Sequence, residues 1–592
     1  MNNKSGKAII TPILYDNQSM RLESLKNNVS STIDAICAFE CFRRDEFISA
    51  SDLFKCIDSY EKNDQILFYI GECYLQETQF NESLLYFNKA IEVNPENLFA
   101  WANKGSVLFM IGNYKEAIDA CDKAIKIDSQ SPVALISKGC ALGKLGYYEE
   151  AIKTFDKATK IDPNCSEAWI NKGCALEYLG KHEEAIDTYN KAIEINPQDS
   201  VPLLDKGYAL DNLGKHEEAI ETYNKVIEID SQDLIALINR GSALNELGRY
   251  EEAITVYDNV IKINPNISEA WREKGTDFEF IGKHKEAIEA YNKAIEINPQ
   301  DSEALLNKGS ILDKLGYHEE AIKTFDKVTK IDPNNSDAWN NKGAALGYLG
   351  NYNESIKAYD NAIKINPQDP KAWNNKGAAL GHLGNYNESI KAYDNAIKID
   401  PHYSKAWAGK GATLDQLGKY KEAIEAYNTV IEINPQDSEA WCEKGLVLNE
   451  LRKYEEAIDA YNKAIEINPQ NTEAWCLKSL ALSLLGSNEE ALKSIDKAIE
   501  IDPQNSTAWC VKGAVLSILG NNEEAVEAYN KAIEIDPQNS EAWYRKCFVL
   551  AKLGNQDEAV EAYNKAVEIN PKHLDEFYAN ERALNQSNHS LV

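Results

Sequence analysis

The stretch STAWCVKGAVLSILGNNEEAVEAYNKAIEIDPQN, residues 506–539, contains the pattern that decides the fold. Its first half places Trp509, Gly513 and Leu516 at positions i, i+4 and i+7, which is the spacing of one face of an α-helix. Ser506 stands just before this pattern, and serine is a favoured residue for capping the start of a helix. The first half therefore predicts an amphipathic helix capped by Ser506.

The second half of the stretch predicts another helix. Gly520 suits the left-handed residue that ends the first helix, and the carboxylates of Glu523 and Glu524 suit the positive first turn of the second. Asp536 ends the second helix because the residue before a proline is disfavoured in helical geometry. The stretch is therefore a helical hairpin, and no strand signal occurs anywhere in the sequence.

This hairpin recurs every 34 residues. The place of Trp509, here called the tryptophan position, is occupied in turn by Leu67, Trp101, Leu135, Trp169, Leu203, Leu237, Trp271, Leu305, Trp339, Trp373, Trp407, Trp441, Trp475, Trp509 and Trp543. A fixed period of this length indicates one unit of two helices stacked many times. We therefore predict an all-α solenoid of stacked helix-turn-helix hairpins, which presents a long surface instead of a single pocket.

The order of residues within each unit resembles the tetratricopeptide repeat. Trp is followed by Gly four residues later and Leu seven residues later, and then by Leu-Gly, Tyr, Glu-Ala-Ile, Tyr, Lys-Ala-Ile and Asn-Pro. A rotation of ~100° per residue points the side chains one, two, five, eight and nine places after the tryptophan position away from the packing face. The resemblance implies that this second face lines the concave groove of a right-handed superhelix, where ligands usually bind.

The repeats set the predicted organisation of the chain. Fifteen units fit residues 64–573 without an insertion or a deletion, and a degenerate repeat is predicted at 30–63. Residues 574–585 are predicted to form a polar capping helix, because an open terminal repeat would expose apolar surface. The remaining ends are a poorly defined N-terminal segment (1–29) and a predicted disordered tail (586–592).

Composition limits the classes of partner. The net charge of −31 disfavours nucleic acids and anionic membranes, since binding to phosphates depends on Lys and Arg. The alternative interpretation is that the negative charge only keeps a long array soluble. No run approaches the ~18 apolar residues of a membrane span. The twelve cysteines show no paired CxxC spacing, which favours reduced thiols and a cytoplasmic location.

The predicted groove carries a ladder of asparagines. Two residues after the tryptophan position stand Asn103, Asn171, Asn239, Asn307, Asn341 and Asn375. In the middle of the array they are joined by Asn340, Asn374 and His382, with small residues beside them that leave the groove open. Amides offer the donors and acceptors that an extended peptide backbone needs. The ladder resembles that of the protein O-linked N-acetylglucosamine transferase family, which grips extended polypeptides, although asparagine is also common here in generic repeats.

Toward the C-terminus the same face becomes apolar. It carries Cys442, Cys476, Leu477, Leu480, Cys510, Val511 and Tyr544. An exposed apolar patch of more than a few hundred Å² usually marks a binding site. The alternative is that these side chains fill the space between tightly coiled helices. The sequence leaves both interpretations open.

A lysine, or once Arg240, stands three residues after almost every tryptophan position, where the family prefers an apolar residue. One interpretation is that the methylene stem packs while the ammonium group reaches solvent or a neighbouring carboxylate. The other is a functional basic ladder. His182, His216, His284 and His318 occupy the repeat's tyrosine place, which favours packing.

The sequence favours a non-enzymatic scaffold that binds segments of partner proteins or peptides. It contains no HExxH or CxxC motif, and it predicts no catalytic residue, cofactor or metal ligand. Two alternatives remain open, namely a targeting subunit for an enzyme on another chain and a self-assembling structural array. Self-assembly is suggested by the near identity of residues 339–365 and 373–399, which differ only at Tyr348 and His382.

Overall fold

The structure is a computed structural model that describes residues 37–38, 40–42, 44–57 and 60–571. The predicted N-terminal segment 1–29, capping helix 574–585 and tail 586–592 lie outside the described residues. Within the predicted degenerate repeat, the described part contains helix α1 (Phe47–Lys55) and a 3-10 turn (Tyr60–Lys62).

Each 34-residue period from Asp64 onward contains two α-helices, here called A and B. The A helices are α2 (Asp64–Gln76), α4 (Leu98–Met110), α6 (Pro132–Lys144), α8 (Ser166–Tyr178), α10 (Ser200–Asn212), α12 (Leu234–Glu246), α14 (Ser268–Phe280), α16 (Ser302–Lys314), α18 (Ser336–Tyr348), α20 (Pro370–His382), α22 (Ser404–Gln416), α24 (Ser438–Glu450), α26 (Thr472–Leu485), α28 (Ser506–Ile518) and α30 (Ser540–Lys552). The B helices are α3 (Phe80–Val93), α5 (Tyr114–Ile127), α7 (Tyr148–Ile161), α9 (His182–Ile195), α11 (His216–Ile229), α13 (Tyr250–Ile263), α15 (His284–Ile297), α17 (His318–Ile331), α19 (Tyr352–Ile365), α21 (Tyr386–Ile399), α23 (Tyr420–Ile433), α25 (Tyr454–Ile467), α27 (Asn488–Ile501), α29 (Asn522–Ile535) and α31 (Gln556–Ile569). No β-strand occurs among the described residues, and the predicted all-α class of helical hairpins is confirmed.

The start of each A helix differs by one residue from the prediction. In α28 the cap is Asn505, whose Oδ1 accepts a hydrogen bond from the backbone N–H of Ala508 at 3.0 Å. Ser506 is instead the first helical residue, and its hydroxyl donates to the carbonyl of Ala532 at 2.9 Å, near the end of α29. The assignment of Ser506 as the cap was therefore wrong, because the serine joins the two helices of the hairpin instead.

The predicted left-handed residue follows the A helices. Gly520 has φ +84°, in the region that glycine adopts without steric cost. Two repeats depart from this pattern, since Thr78 and Arg452 take the same place with φ +57° and +59°. A non-glycine residue in this region is strained, because its Cβ approaches the following carbonyl oxygen.

Helices A and B of one repeat meet at a glycine. A Cβ built on Gly513 would lie 2.7 Å from Cε1 of Tyr529, whose side chain is fully buried on α29. The glycine four residues after the tryptophan position therefore lets the aromatic ring of the B helix lie directly on the A-helix backbone. Buried alanines such as Ala508 and Ala525 complete this core.

The tryptophans are half-buried at the edge of this core. The indole N–H of Trp509 donates to the carbonyl of Pro503 at 3.1 Å, and the Nζ of Lys512 lies 5.3 Å from the ring centroid. The same lysine forms a 2.8 Å ion pair with Asp496, on the B helix of the preceding repeat. The packing interpretation of the lysines is therefore confirmed where such a carboxylate is present.

The chain divides into two compact units, Met1–Ala304 and Leu305–Val592. From α1 to α15, and from α17 to α31, each helix packs against the next helix along the chain. The boundary falls within α16, so the candidate site that follows lies wholly inside the second unit.

Candidate functional site

An open pocket of ≈ 530 Å³ lies on the predicted groove face between α18 and α20. It is lined by Ala344, Gly347, Tyr348, Tyr352, Ser355, Tyr359, Asn375, Ala378, Ala379 and His382. Two residues of the predicted site, Asn375 and His382, belong to this lining. The pocket is formed by the two nearly identical repeats in the middle of the array.

Small side chains create this space. Ala344 and Ala378 stand five residues after their tryptophan positions, where other repeats carry a large ring such as Tyr208 or Phe548. Gly347 adds further room one turn later, with only the hydroxyl of a serine near the place of its missing Cβ. The predicted open centre of the groove therefore corresponds to a pocket in the structure.

Three half-buried asparagines form a chain of hydrogen bonds at the pocket, and a fourth bonds to a serine of the preceding repeat. The Nδ2 of Asn374 donates to Oδ1 of Asn375, and the Nδ2 of Asn375 donates to Oδ1 of Asn340, each at 3.2 Å. Asn341 donates to the hydroxyl of Ser310 at 3.4 Å. Because each amide has two donor hydrogens and two acceptor lone pairs, these bonds leave capacity for a ligand. The structure therefore brings Asn340, Asn374 and Asn375 together across two repeats, whereas Asn341 bonds to the preceding repeat.

Two stacked ring pairs border the pocket. Tyr348 is 74% exposed and stacks on His318 with a centroid distance of 4.9 Å. His382 stacks on Tyr352 at 4.8 Å, one repeat further along. In each pair a ring at the end of an A helix lies on the first residue of the preceding B helix. Stacked rings of this kind present an apolar face and a polar edge to a ligand.

Tyr348, Tyr352 and His318 were not among the predicted site residues. A signal for them is present in the sequence. Tyr348 stands nine residues after the tryptophan position of its repeat, and the ring that it stacks on, His318, stands thirteen residues after the tryptophan position of the preceding repeat. These two places are 30 residues apart in sequence, so only the stacking of adjacent repeats brings them together.

The other asparagines of the ladder do not share one environment. Asn103 and Asn307 are half-buried, and the side-chain amide of Asn103 bonds to the carboxylate of Glu72. Asn171 and Asn239 are buried, with exposures of 2% and 8%. Their prediction as groove residues open to a ligand is corrected, because their side chains are buried within the array.

The apolar stripe near the C-terminus is mostly interior. Cys442, Cys476 and Cys510 are each 6% exposed, which favours the interpretation that these side chains fill the space between helices. Tyr544 is 8% exposed but lines an open pocket described below. Leu477, Leu480 and Val511 are half-buried between adjacent helices. Burial raises the pKa of Cys476 to about 12, which keeps the thiol protonated.

The exposed apolar side chains of this region are instead Leu484 and Ile518, at 54% and 51%. They occupy the same place in consecutive repeats. Ile518 also lines a second open pocket, of ≈ 340 Å³, together with Phe548 and Arg545. This pocket is smaller than the central one and carries no amide ladder.

Three histidines bond to carboxylates. The Nδ1 atoms of His182, His216 and His318 lie 3.1, 3.2 and 2.7 Å from a carboxylate oxygen five residues earlier in the chain. These pairs join the end of an A helix to the start of its B helix, in keeping with a packing role. No group of three or more potential metal ligands occurs in the part of the chain that the structure describes.

Family models match the chain along nearly all of its described length. Models described as the tetratricopeptide repeat match residues 65–97, 99–131, 133–165, 166–199, 188–221, 232–300, 282–345, 336–369, 370–403, 404–437, 438–471, 472–505, 495–527 and 540–573. One model described as the TPR repeat matches residues 513–554. Among curated proteins, none matches this chain.

Similar solved structures include three that contain comparable helices. The APC/C hetero-tetramer Cut9-Hcn1 is 15% identical, with 81% of this chain and 100% of that chain covered and a TM-score of 0.36. YrrB, described as a TPR protein with an unusual peptide-binding site, is 28% identical, with 32% and 96% covered and a TM-score of 0.28. MamA is 28% identical, with 27% and 94% covered and a TM-score of 0.26. Among the described residues, no helix is long and apolar enough to cross a membrane.

Proposed function

Because the chain belongs to the tetratricopeptide repeat family, we propose that it is a non-enzymatic scaffold whose central pocket binds an extended segment of a partner polypeptide. One observation carries the proposal: the open pocket lies beside asparagine side chains whose amides still have unused hydrogen-bond donors and acceptors. The pocket of ≈ 530 Å³ lies beside Asn375 and between two exposed ring pairs.

The chemistry of the pocket suits a peptide more than a compact small molecule. Asn340, Asn374 and Asn375 supply a row of donors and acceptors that continues from one repeat to the next, as the backbone of an extended chain requires. Tyr348 and His382 offer ring faces for an apolar or aromatic side chain. The missing side-chain volume at Ala344 and Ala378 leaves room for the peptide itself.

The acidic charge of −31 supports a protein partner over nucleic acid or an anionic membrane surface. A cytoplasmic location is part of the same proposal, supported by twelve free cysteines of which most are buried. A targeting role for an enzyme on another chain would use the same pocket. Self-assembly would use it only if the bound segment came from a second copy.

Affinity capture with a matched pair of variants tests this proposal. The first replaces Asn340, Asn341, Asn374 and Asn375 with alanine, and the control replaces Asn351 and Asn385, exposed asparagines of the same repeats whose side chains make no cap bond. We expect the first variant to lose partner polypeptides that the wild type and the control retain, with unchanged circular dichroism. Identical partner lists from all three proteins would refute the central pocket. Recovery of the chain itself as the captured species would favour self-assembly.

A further inference from the structure

Eleven of the thirteen lysines three residues after the tryptophan positions fall into two classes, and Lys206 and Lys308, which follow leucines, belong to neither. Seven form ion pairs of 2.5–2.8 Å with an aspartate sixteen residues earlier, namely Lys138–Asp122, Lys172–Asp156, Lys274–Asp258, Lys342–Asp326, Lys376–Asp360, Lys410–Asp394 and Lys512–Asp496. The aspartate lies on the B helix of the preceding repeat. These pairs link one repeat to the next.

The second class lacks this partner because asparagine replaces the aspartate. Asn88, Asn428, Asn462 and Asn530 stand sixteen residues before Lys104, Lys444, Lys478 and Lys546. These four lysines form no ion pair within 4.0 Å among the described residues, but each lies 5.0–5.2 Å from the centroid of a tryptophan ring. A single residue type on the neighbouring helix therefore decides the class of each lysine.

We propose that the unpaired lysines that lie over a tryptophan, Lys104, Lys444, Lys478 and Lys546, are sites of acylation by acyl thioesters, whereas the lysines paired with aspartate are protected. In the reaction, the neutral Nζ attacks the thioester carbonyl carbon, so that a C–N bond forms and the C–S bond breaks. The thiolate leaves and takes up the proton lost from nitrogen, which gives an amide and a free thiol. No other reactant is needed.

Two physical reasons separate the classes. In the ion pairs Nζ is held against a carboxylate oxygen, as at 2.6 Å in Lys376–Asp360, and this contact must open before Nζ can attack a carbonyl carbon, whereas the unpaired lysines have no such contact. Partial burial lowers the pKa of Lys444 and of Lys478, because the charged form loses hydration, and the carboxylates of Glu456 and Glu490 oppose this only in part. Both classes are half-buried over the same kind of ring, so exposure alone does not distinguish Lys444 from Lys410.

The consequences for stability also differ. Acylation of Lys376 would break its 2.6 Å contact with Asp360 and leave that carboxylate without its cation. Acylation of Lys444 removes a charge that has no ion-pair partner to lose. The asparagine-flanked lysines are therefore both the more reactive sites and the sites at which the array tolerates the change.

The test is acetylation of the purified full-length chain with acetyl coenzyme A at pH 8, with occupancy at each lysine followed by quantitative mass spectrometry. Initial rates at Lys444 and Lys478 should exceed those at Lys376 and Lys410 by about two- to fivefold, which is the free energy of opening an exposed ion pair expressed as a rate ratio. The remaining lysines of each class serve as internal standards.

Two variants that interchange Asn and Asp sixteen residues before a lysine separate the effect of the ion pair from differences in how accessible each lysine is to the reagent. Asn428→Asp should slow acetylation of Lys444, and Asp360→Asn should accelerate that of Lys376, with the other lysines unchanged. Both substitutions lie at exposed or half-exposed positions and keep the side-chain size, so folding is preserved. Rates that do not move on exchange, or equal rates for the two classes in the wild type, would overturn the proposal. Neither outcome bears on peptide binding at the central pocket.

Discussion

Replacement of Asp277 by alanine should stabilise the seventh repeat, 268–301, and should do so more strongly as the pH rises. Asp277 lies on α14, has no exposed surface, and neither carboxylate oxygen has a hydrogen-bond partner among the described residues. Burial and the nearby charge of Glu273 raise its pKa from 3.8 to about 8. One repeat earlier the same place is occupied by the buried Ala243.

The magnitude follows from the linkage between the pKa and stability. A carboxyl group whose pKa is raised on folding stabilises the folded state fully below its unfolded pKa, and this contribution is lost as the pH rises through the folded value. Each pKa unit corresponds to about 1.4 kcal/mol. Between pH 5 and pH 8 the wild type should therefore lose on the order of 4 kcal/mol that the alanine variant retains.

Hydrogen exchange followed by mass spectrometry is the appropriate assay, because repeats couple mainly to their neighbours and need not unfold together. Wild type and variant are compared at the same pH, so that the intrinsic exchange rate cancels. Asp277→Asn is the control, since it removes the charge but keeps the shape, and it should abolish the pH dependence. A variant that is less protected than the wild type at pH 8, or a difference that is equal at pH 5 and pH 8, would refute the reasoning.

Three further predictions concern the repeat framework. Arg452→Gly should raise the stability of its repeat by about 1 kcal/mol, measured by hydrogen exchange, because φ +59° strains a residue with a Cβ; no gain would show that the strain is absent. Gly513→Ala should cost about 1–3 kcal/mol, seen as a lower midpoint in thermal unfolding, because its Cβ would lie 2.7 Å from the ring of Tyr529; an unchanged midpoint would contradict this. Trp373→Ala should cost about 2–3 kcal/mol, since the indole is only half-buried but donates to Pro367 at 3.2 Å; uniform loss of protection across the array would contradict a local effect.

The architecture could be predicted from the sequence because the same helix-ending and core-packing residues recur every 34 residues. Gly520 ends its helix in the left-handed conformation as expected, and the lysines pack against tryptophans and carboxylates. The misplaced cap at Ser506 shows the limit of this reasoning. Both Asn505 and Ser506 are good capping residues, and only the contact of Ser506 with Ala532 in the second helix distinguishes them.

The candidate site was predicted less completely, because burial on the groove face depends on two repeats at once. Asn171 and Asn375 occupy the same place in their repeats, but the first is buried and the second lines the pocket. The difference lies in the neighbours, since Ala344 and Ala378 surround Asn375 whereas Cys174 and Asp205 contact each other beside Asn171. A single-repeat pattern does not contain that information.

The central claim is that a partner polypeptide occupies the pocket between α18 and α20. The most direct measurement is photo-crosslinking in cells with p-benzoylphenylalanine in place of Tyr348, with the same probe at Lys357, an exposed residue of α19 outside the pocket lining, as the control. If a partner polypeptide occupies the pocket, position 348 should crosslink to a defined peptide of another protein. These crosslinks should disappear when Asn340, Asn341, Asn374 and Asn375 are replaced by alanine. Crosslinks of equal yield from both positions, or crosslinks from position 348 that survive the asparagine replacements, would contradict it.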